Sequence, residues 1–243
     1  MEILDKLSKK KHELDALKPL SNEVIHEFAD DLKLLFIYNS NALEGNSLTF
    51  TETKSVLEGY TIEGKSLNEH LDVMNHEEAF NYILKLTHED VDFDEICMKK
   101  IHEILSNKNN LENSGKYRNI TFNEINNFFT WYNINKNHYH PVEFSARACC
   151  EFLKIHPFIN NNGKLSRLIM NFEIIKNGYP LTIIDVENKE FYQNNLTNAI
   201  NSNDYSDFIN LIGKYVLSSF DKYFNLIASR KFIDKNYEHE FVL

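Results

Sequence analysis

The chain has 243 residues, with 36 acidic and 26 basic side chains and a formal net charge of −10 at pH 7. Because proteins that bind nucleic acid non-specifically carry basic surfaces, this acidic balance argues against DNA or RNA as a partner. Only 7 Gly and 4 Pro are present, which argues against a hairpin-rich all-β fold, whose turns need these residues.

Helical periodicity and helix start signals recur along the whole chain. Three predicted helices open with a capping box, at Ser66, Asp92 and Thr121, where a Glu follows three residues later. The predicted helices are Glu2–Leu17, Ser21 toward Asn39, Thr51–Glu58, Ser66–Leu86, Asp92–Leu105, Thr121–Tyr132, Pro141–Ile155, Gly163–Ile175, Asn188–Asn201 and Tyr205–Ala228. Since no internal repeat or low-complexity linker interrupts them, we predict one compact all-α domain.

The cysteines and the N-terminal sequence bear on cellular location. Cys97, Cys149 and Cys150 are odd in number and form no CxxC motif, which is typical of buried thiols in a reducing compartment. The first residues lack the apolar core of a signal peptide, and no apolar run approaches the roughly 20 residues that cross a bilayer. We therefore expect a cytoplasmic protein without a membrane partner.

One polar loop, residues 156–167, carries a chemically useful combination of side chains. An apolar helix ends at His156, Pro157 prevents its continuation, and the next helix holds Lys164 and Arg167 in its first turn. A helix N-terminus attracts anions, and two cations three residues apart share a face, so the loop combines features that can bind a phosphate. A histidine side chain can take up a proton near neutral pH, so His156 is suited to act as a general base. The plainer alternative is an Asn-Gly turn with a structural His.

The same loop resembles the signature of the Fic family, His-Pro-Phe-x-Asp/Glu-Gly-Asn-Gly/Lys-Arg-x-x-Arg. The matching residues are His156, Pro157, Phe158, Asn162, Gly163 and Arg167. Flanking segments that also resemble the family are Gly115–Arg118, His140–Phe144, Leu168–Asn171 and Gly178–Pro180. The resemblance implies a Fic-type helical fold.

A second motif lies far upstream of the loop. Residues 40–46 match the family's inhibitory pattern Ser/Thr-x-x-x-Glu-Gly/Asn, with Ser40 and Glu44 at its defining positions. The resemblance, which spans about residues 35 to 225, then implies an inhibitory helical region over 1–62 and a catalytic domain over 63–243. In that arrangement Glu44 lies opposite Arg167 and competes with the outermost phosphate of a nucleotide.

The resemblance also implies an activity, namely transfer of AMP from ATP to a Ser, Thr or Tyr hydroxyl of a protein. His156 is then the general base, while Asn162 and the backbone around Gly163 hold the phosphates. Lys164 and Arg167 are expected to bind the outer phosphates and Tyr192 to form a wall of the adenine pocket, with an ordinary core position as the alternative for Tyr192. The expected partners are ATP and a protein substrate, the chain itself included, and a homodimer is left open.

Four departures from the family pattern bear on activity. Asn160 stands where the family has the acidic Mg²⁺ ligand, so we expect Mg²⁺ or Mn²⁺ to be weakly held. Asn161 replaces a Gly, and Lys164 replaces an Arg whose forked guanidinium it lacks. Only two residues separate Arg118 from the helix cap at Thr121, where the family usually has a hairpin flap that docks its target.

These departures leave three interpretations open. The first is an AMP transferase with a weakened metal site. The second is a Fic-fold enzyme with another donor, either a different nucleotide or a diphosphate-linked group. The third is a helical binding module that holds a nucleotide without transferring any part of it.

Overall fold

The computed structural model describes residues 2–17, 22–106 and 112–240, and all regular structure in these ranges is helical. In chain order the helices are α1 (Glu2–Asp15), α2 (Asn22–Leu43), α3 (Phe50–Leu57), α4 (Leu67–His88), α5 (Glu95–Ser106), α6 (Phe122–Asn135), α7 (Pro141–Ile155), α8 (Asn162–Lys176), α9 (Lys189–Ser202) and α10 (Ser206–Glu240). A 3₁₀ turn, Val186–Asn188, precedes α9. The all-α prediction is confirmed.

Local capping chemistry explains where several helices begin. Capping boxes open α3 at Thr49, α4 at Ser66 and α6 at Thr121, the last two as predicted. The predicted box at Asp92 is wrong. The Asp94 carboxylate accepts from Cys97 N–H at 2.8 Å and α5 begins at Glu95.

The C-terminal end of α10 also differs from the sequence-based prediction. Helix α10 continues to Glu240 instead of ending at Ala228. No Gly or Pro follows Ala228 to stop it. The predicted cap at Ser21 lies outside the described residues.

Helices α7 and α8 form the centre of the molecule, because each contributes side chains to both hydrophobic core clusters. The first cluster joins them to helices α2 through α6, and the second joins them to α1, α9, α10 and the end of α2. Helix α8 is almost wholly enclosed, with every residue from Lys164 to Ile174 buried. Its N-terminal end, which carries the loop motif, is therefore held rigidly from both sides.

The described segment before α6, residues 112–121, contains no hairpin flap. Residues 112–121 form turns and extended backbone without a strand, and the Arg118 N–H donates to Pro157 O at 2.9 Å. This confirms the prediction that the flap is reduced or absent.

The division into 1–62 and 63–243 stays a prediction. Within the described ranges, no helix combines the length and the apolar character that a membrane span requires.

Candidate active site

The loop begins where Arg118 closes the C-terminal end of α7. His156 adopts a left-handed backbone conformation, with φ at 43°. The Arg118 Nε donates to His156 O at 2.6 Å and its Nη2 donates to Ile155 O at 3.0 Å. A guanidinium satisfies these end-of-helix carbonyls and opposes the negative end of the helix dipole. Arg118 thus fixes the backbone that carries His156, whose side chain is exposed.

Asn162 organises the turn from inside. Its Oδ1 accepts from Phe158 N–H at 3.1 Å, and its Nδ2 donates to Phe158 O at 2.8 Å. The same Nδ2 lies 3.3 Å from His156 Nδ1. Because Asn162 is only 3% exposed, its amide is committed to the shape of the loop and to the orientation of the His156 ring. The phosphate-binding role expected for this amide stays a prediction.

Asn161 accepts the conformation that the family's Gly provides. Its φ is 57°, in the left-handed region that Asn tolerates better than most residues. Its side-chain amide donates to Ser106 Oγ at 3.3 Å and to Leu105 O at 3.4 Å, at the end of α5. The replacement therefore keeps the turn and adds an anchor to a neighbouring helix.

Asn160, the expected metal ligand, directs its polar groups toward His102 on α5. Its Oδ1 is buried without a hydrogen-bond partner of normal geometry. The His102 ring stacks on Phe158 with 3.8 Å between centroids, and burial lowers the pKa of His102 to about 4, against a smaller raising effect of Asn160. His102 has no sequence signal, because it is simply one residue on the buried face of α5.

This donor set fits a tightly held divalent cation poorly. The loop from 156 to 163 contains no carboxylate, and the one amide oxygen at the expected position is buried. The described residues also contain no group of three His, Cys, Asp or Glu side chains placed to hold a metal. We therefore assign no chemical step to a metal ion bound by the protein alone.

The end of α2 contacts Arg167 directly, as the two motifs together predict. The Arg167 Nη2 lies 2.8 Å from Glu44 Oε1 and 2.9 Å from Ser40 O, and its Nε lies 2.8 Å from Ser40 Oγ. Arg167 is 3% exposed, so these contacts replace water around a buried guanidinium. The sequence separation is 127 residues for Ser40 and 123 for Glu44.

The Glu44 carboxylate also lies against the first turn of α8. A Cβ atom added at Gly163 would be 2.2 Å from Glu44 Oε1, so any side chain there would displace the carboxylate. Unpaired N–H groups and a partial positive charge make this helix end favourable for an anion. Glu44 thus occupies the position that the sequence assigned to phosphate, between Gly163 and Arg167.

Lys164 turns toward α4. Its Nζ lies 3.3 Å from Asp72 Oδ1, and its side chain is only 4% exposed. Burial lowers the pKa of Lys164, while Asp72 and Glu44 act in the opposite direction. Asp72 has no sequence signal of its own, because it looks like any polar residue on an amphipathic helix.

Tyr192 on α9 is the one predicted site residue that lies in the core. It is 2% exposed and packs in the second core cluster, with its ring centroid 5.8 Å from that of Phe208. Burial raises the pKa of its hydroxyl well above the ordinary value. This placement agrees with the core alternative, and the adenine role stays a prediction.

The helical fold and the loop agree with the resemblance to Fic domains, and comparison with known proteins gives the same result. A model of the Fic/DOC family matches residues 92–174, so the chain contains a Fic/DOC domain, as the sequence resemblance predicted. A relative named protein adenylyltransferase Fic from Nematostella vectensis is 29% identical over 243 residues, covering 91% of this chain and 56% of the relative. The relative of the same name from Aedes aegypti is 29% identical, with 91% and 49% covered. The chain spans about half the length of these relatives.

Solved structures share the fold. A Fic domain containing signaling protein from Bacteroides thetaiotaomicron is 25% identical, with a TM-score of 0.84 over 93% of this chain and 97% of that one. Fic-1 from C. elegans is 23% identical, with a TM-score of 0.86 over 93% of this chain and 71% of that one. The fold therefore extends well beyond the residues that the family model matches.

Proposed function

We propose that this chain is a protein adenylyltransferase that transfers AMP from ATP to a Ser, Thr or Tyr hydroxyl of a protein and is restrained by Glu44. The names of its relatives support the reaction class. The position of the Glu44 carboxylate, bonded to Arg167 and seated against Gly163, is the single observation that carries the proposal. A site that attracts a carboxylate by a helix N-terminus and a guanidinium suits a phosphate for the same reasons.

The proposed reaction uses the loop in a direct way. His156 takes the proton from the target hydroxyl, whose oxygen bonds to the α-phosphorus of ATP while the bond from that phosphorus to the pyrophosphate breaks. Lys164 and Arg167 stabilise the negative charge that develops on the leaving pyrophosphate. Arg118 and Asn162 act earlier, because they fix the backbone and the ring of His156.

The restraint is a competition for one position. While Glu44 bonds Arg167, an incoming terminal phosphate must displace a carboxylate and meets its charge if both remain. ATP then binds weakly or in a pose in which the α-phosphorus does not face His156. Ser40, which accepts from Nε and from the same Nη2 that contacts Glu44, holds Arg167 in place when the carboxylate leaves.

The proposal also covers the metal ion, the target and the cellular location. The phosphates of ATP would bring Mg²⁺ or Mn²⁺ with them, Asn160 is the residue expected to contact the ion weakly, and the ion would offset phosphate charge. The target is a protein, with the chain itself as one candidate, and the proposed location is the cytoplasm.

A second candidate function is nucleotide binding without transfer. It is favoured by the uncharged Asn160 at the expected metal position, whose amide oxygen is buried against α5. Both candidates predict that ATP binds, so binding alone does not separate them. The fate of the α-phosphate does.

The test uses Glu44→Gly with ATP labelled at the α- or at the γ-phosphate. The proposal predicts that the α label becomes covalently attached to protein, while the γ label leaves with pyrophosphate. The double variant with His156→Ala is the matched control, since the exposed His156 side chain adds little to the core, and it should attach neither label. Attachment of the γ label would indicate phosphoryl transfer instead, and ATP binding without attachment of either label would select the binding module.

A further inference from the structure

A second acidic side chain reaches the phosphate cradle, which we define as Gly163, Lys164 and Arg167. Glu44 from α2 pairs with Arg167 at 2.8 Å, and Asp72 from α4 pairs with Lys164 at 3.3 Å. The two cations that the proposed function assigns to the outer phosphates are therefore each paired with a carboxylate. The two cations and two carboxylates cancel, so the resting cradle offers no net charge to a polyanion.

The pair on Lys164 is not a typical surface salt bridge. The Lys164 side chain is 4% exposed and that of Asp72 is 31% exposed. An ammonium group this far from water is costly without a partner, so Lys164 remains with Asp72 while nothing else supplies negative charge. A nucleotide phosphate supplies that charge, and it brings oxygen acceptors for the same ammonium protons.

We propose that Asp72 is a second inhibitory carboxylate, which holds Lys164 against α4 until nucleotide phosphates replace it. The inference rests on the proposed function, in which the cradle binds the phosphates of ATP. Removing Glu44 alone takes the carboxylate away from Arg167 and leaves Lys164 paired with Asp72. Full opening of the cradle therefore needs both carboxylates to give way.

The number of phosphates determines which nucleotides should bind differently when Asp72 is replaced. The outer phosphates of ATP are the groups assigned to Lys164 and Arg167, while AMP has only the α-phosphate. Asp72→Asn should therefore strengthen ATP binding and leave AMP binding unchanged. We expect the ATP dissociation constant to fall roughly threefold to tenfold, as for the loss of one charged partner at a partly exposed site.

The experiment titrates ATP and AMP calorimetrically into four proteins: the wild type, Glu44→Gly, Asp72→Asn and the double variant. Asp72→Glu keeps the charge and should bind ATP like the wild type. Glu77→Gln is the matched control, because Glu77 also lies on α4 and pairs with Lys33 at 3.0 Å, outside the cradle. It removes one negative charge and one ion pair from the same helix, and ATP affinity should not change.

Thermal unfolding of the empty and ATP-loaded proteins gives a second readout. Asp72→Asn should unfold at a lower temperature than the wild type when empty and gain more from ATP, since tighter binding stabilises the folded state more. If Asp72→Asn does not fold, Asp72→Ser is measured in its place and judged by the same criteria.

The outcomes separate this inference from the proposed function. Tighter ATP binding by Asp72→Asn, with AMP and Glu77→Gln unchanged, supports the inference. Unchanged or weaker ATP binding by Asp72→Asn in both backgrounds, while Glu44→Gly binds ATP more tightly, overturns the role of Asp72 alone. Absence of ATP binding by all four proteins overturns the proposed function and the inference together.

Discussion

Replacing Glu44 by Gly removes the carboxylate from Arg167 and should produce opposite effects on the empty and the ATP-bound protein. In the empty protein Arg167 loses a bond of 2.8 Å but keeps both bonds to Ser40. The Glu44 side chain is 39% exposed, so the pair lies between a surface pair and a buried one. We expect the free energy of unfolding to fall by about 1 kcal/mol, which is near the upper end for exposed pairs and well below that for buried ones.

That loss corresponds to a melting temperature about 2–4 °C lower for a chain of this size. ATP no longer has to displace a carboxylate, so its dissociation constant should fall roughly tenfold, the equivalent of about 1.4 kcal/mol. Calorimetric titration measures the affinity, and thermal unfolding with and without saturating ATP measures the stabilisation. Glu44→Gln keeps the shape of the side chain without its charge and should reproduce most of the gain.

Competition between Glu44 and phosphate is contradicted if Glu44→Gly binds ATP no more tightly than the wild type while its melting temperature falls as expected. Glu44 would then be a structural partner of Arg167 and not a competitor of phosphate. A gain for Glu44→Gly without any gain for Glu44→Gln would show that the bulk of the side chain, and not its charge, excludes the nucleotide.

Three other predictions concern His156, Asn160 and the neighbouring His102 on α5. His156→Ala should abolish transfer without lowering the melting temperature, since the side chain is exposed, and persisting activity would place the base elsewhere. Asn160→Asp should strengthen ATP binding in the presence of Mg²⁺ and raise any transfer rate, and identical metal dependence of the two proteins would show that residue 160 is not at the metal. Because burial lowers the pKa of His102 to about 4, the unfolded chain takes up a proton before the folded protein does. The free energy of unfolding, measured with denaturant, should keep the contribution of neutral His102 above pH 6.5 and lose it as the pH falls toward 4. An equal loss of stability in His102→Gln would assign this pH dependence to other groups.

Most helices could be predicted from the sequence because the residues that start a helix lie within a few positions of one another. The capping boxes at Ser66 and Thr121 are complete within four residues and appear as predicted. The prediction at Asp92 failed because Asp94 offers the same chemistry two residues later. Asp92 instead pairs with Lys136 and Lys176, which lie far along the chain and which no local pattern connects to it.

The contacts of the site depend even more on residues that lie far apart in the sequence. The contact of Glu44 with Arg167 was predictable only through the family resemblance, because 123 residues separate the two side chains. Asp72 and His102 have no recognisable motif, and they reach the loop only because α4 and α5 pack against α8. Which polar residues of an amphipathic helix face a site depends on packing between helices, which periodicity alone does not determine.

The central claim is that the chain transfers AMP and that Glu44 restrains the transfer. Its most direct test is the intact mass of the protein after incubation with ATP and Mg²⁺ or Mn²⁺, for the wild type beside Glu44→Gly, each with and without an added protein mixture as a source of targets. We expect Glu44→Gly to attach more AMP than the wild type does, either to itself or to a protein in the mixture. The double variant Glu44→Gly with His156→Ala should attach none. Equal AMP addition by the wild type and Glu44→Gly would contradict the restraint, and bound ATP with no AMP added to any protein would contradict the transfer.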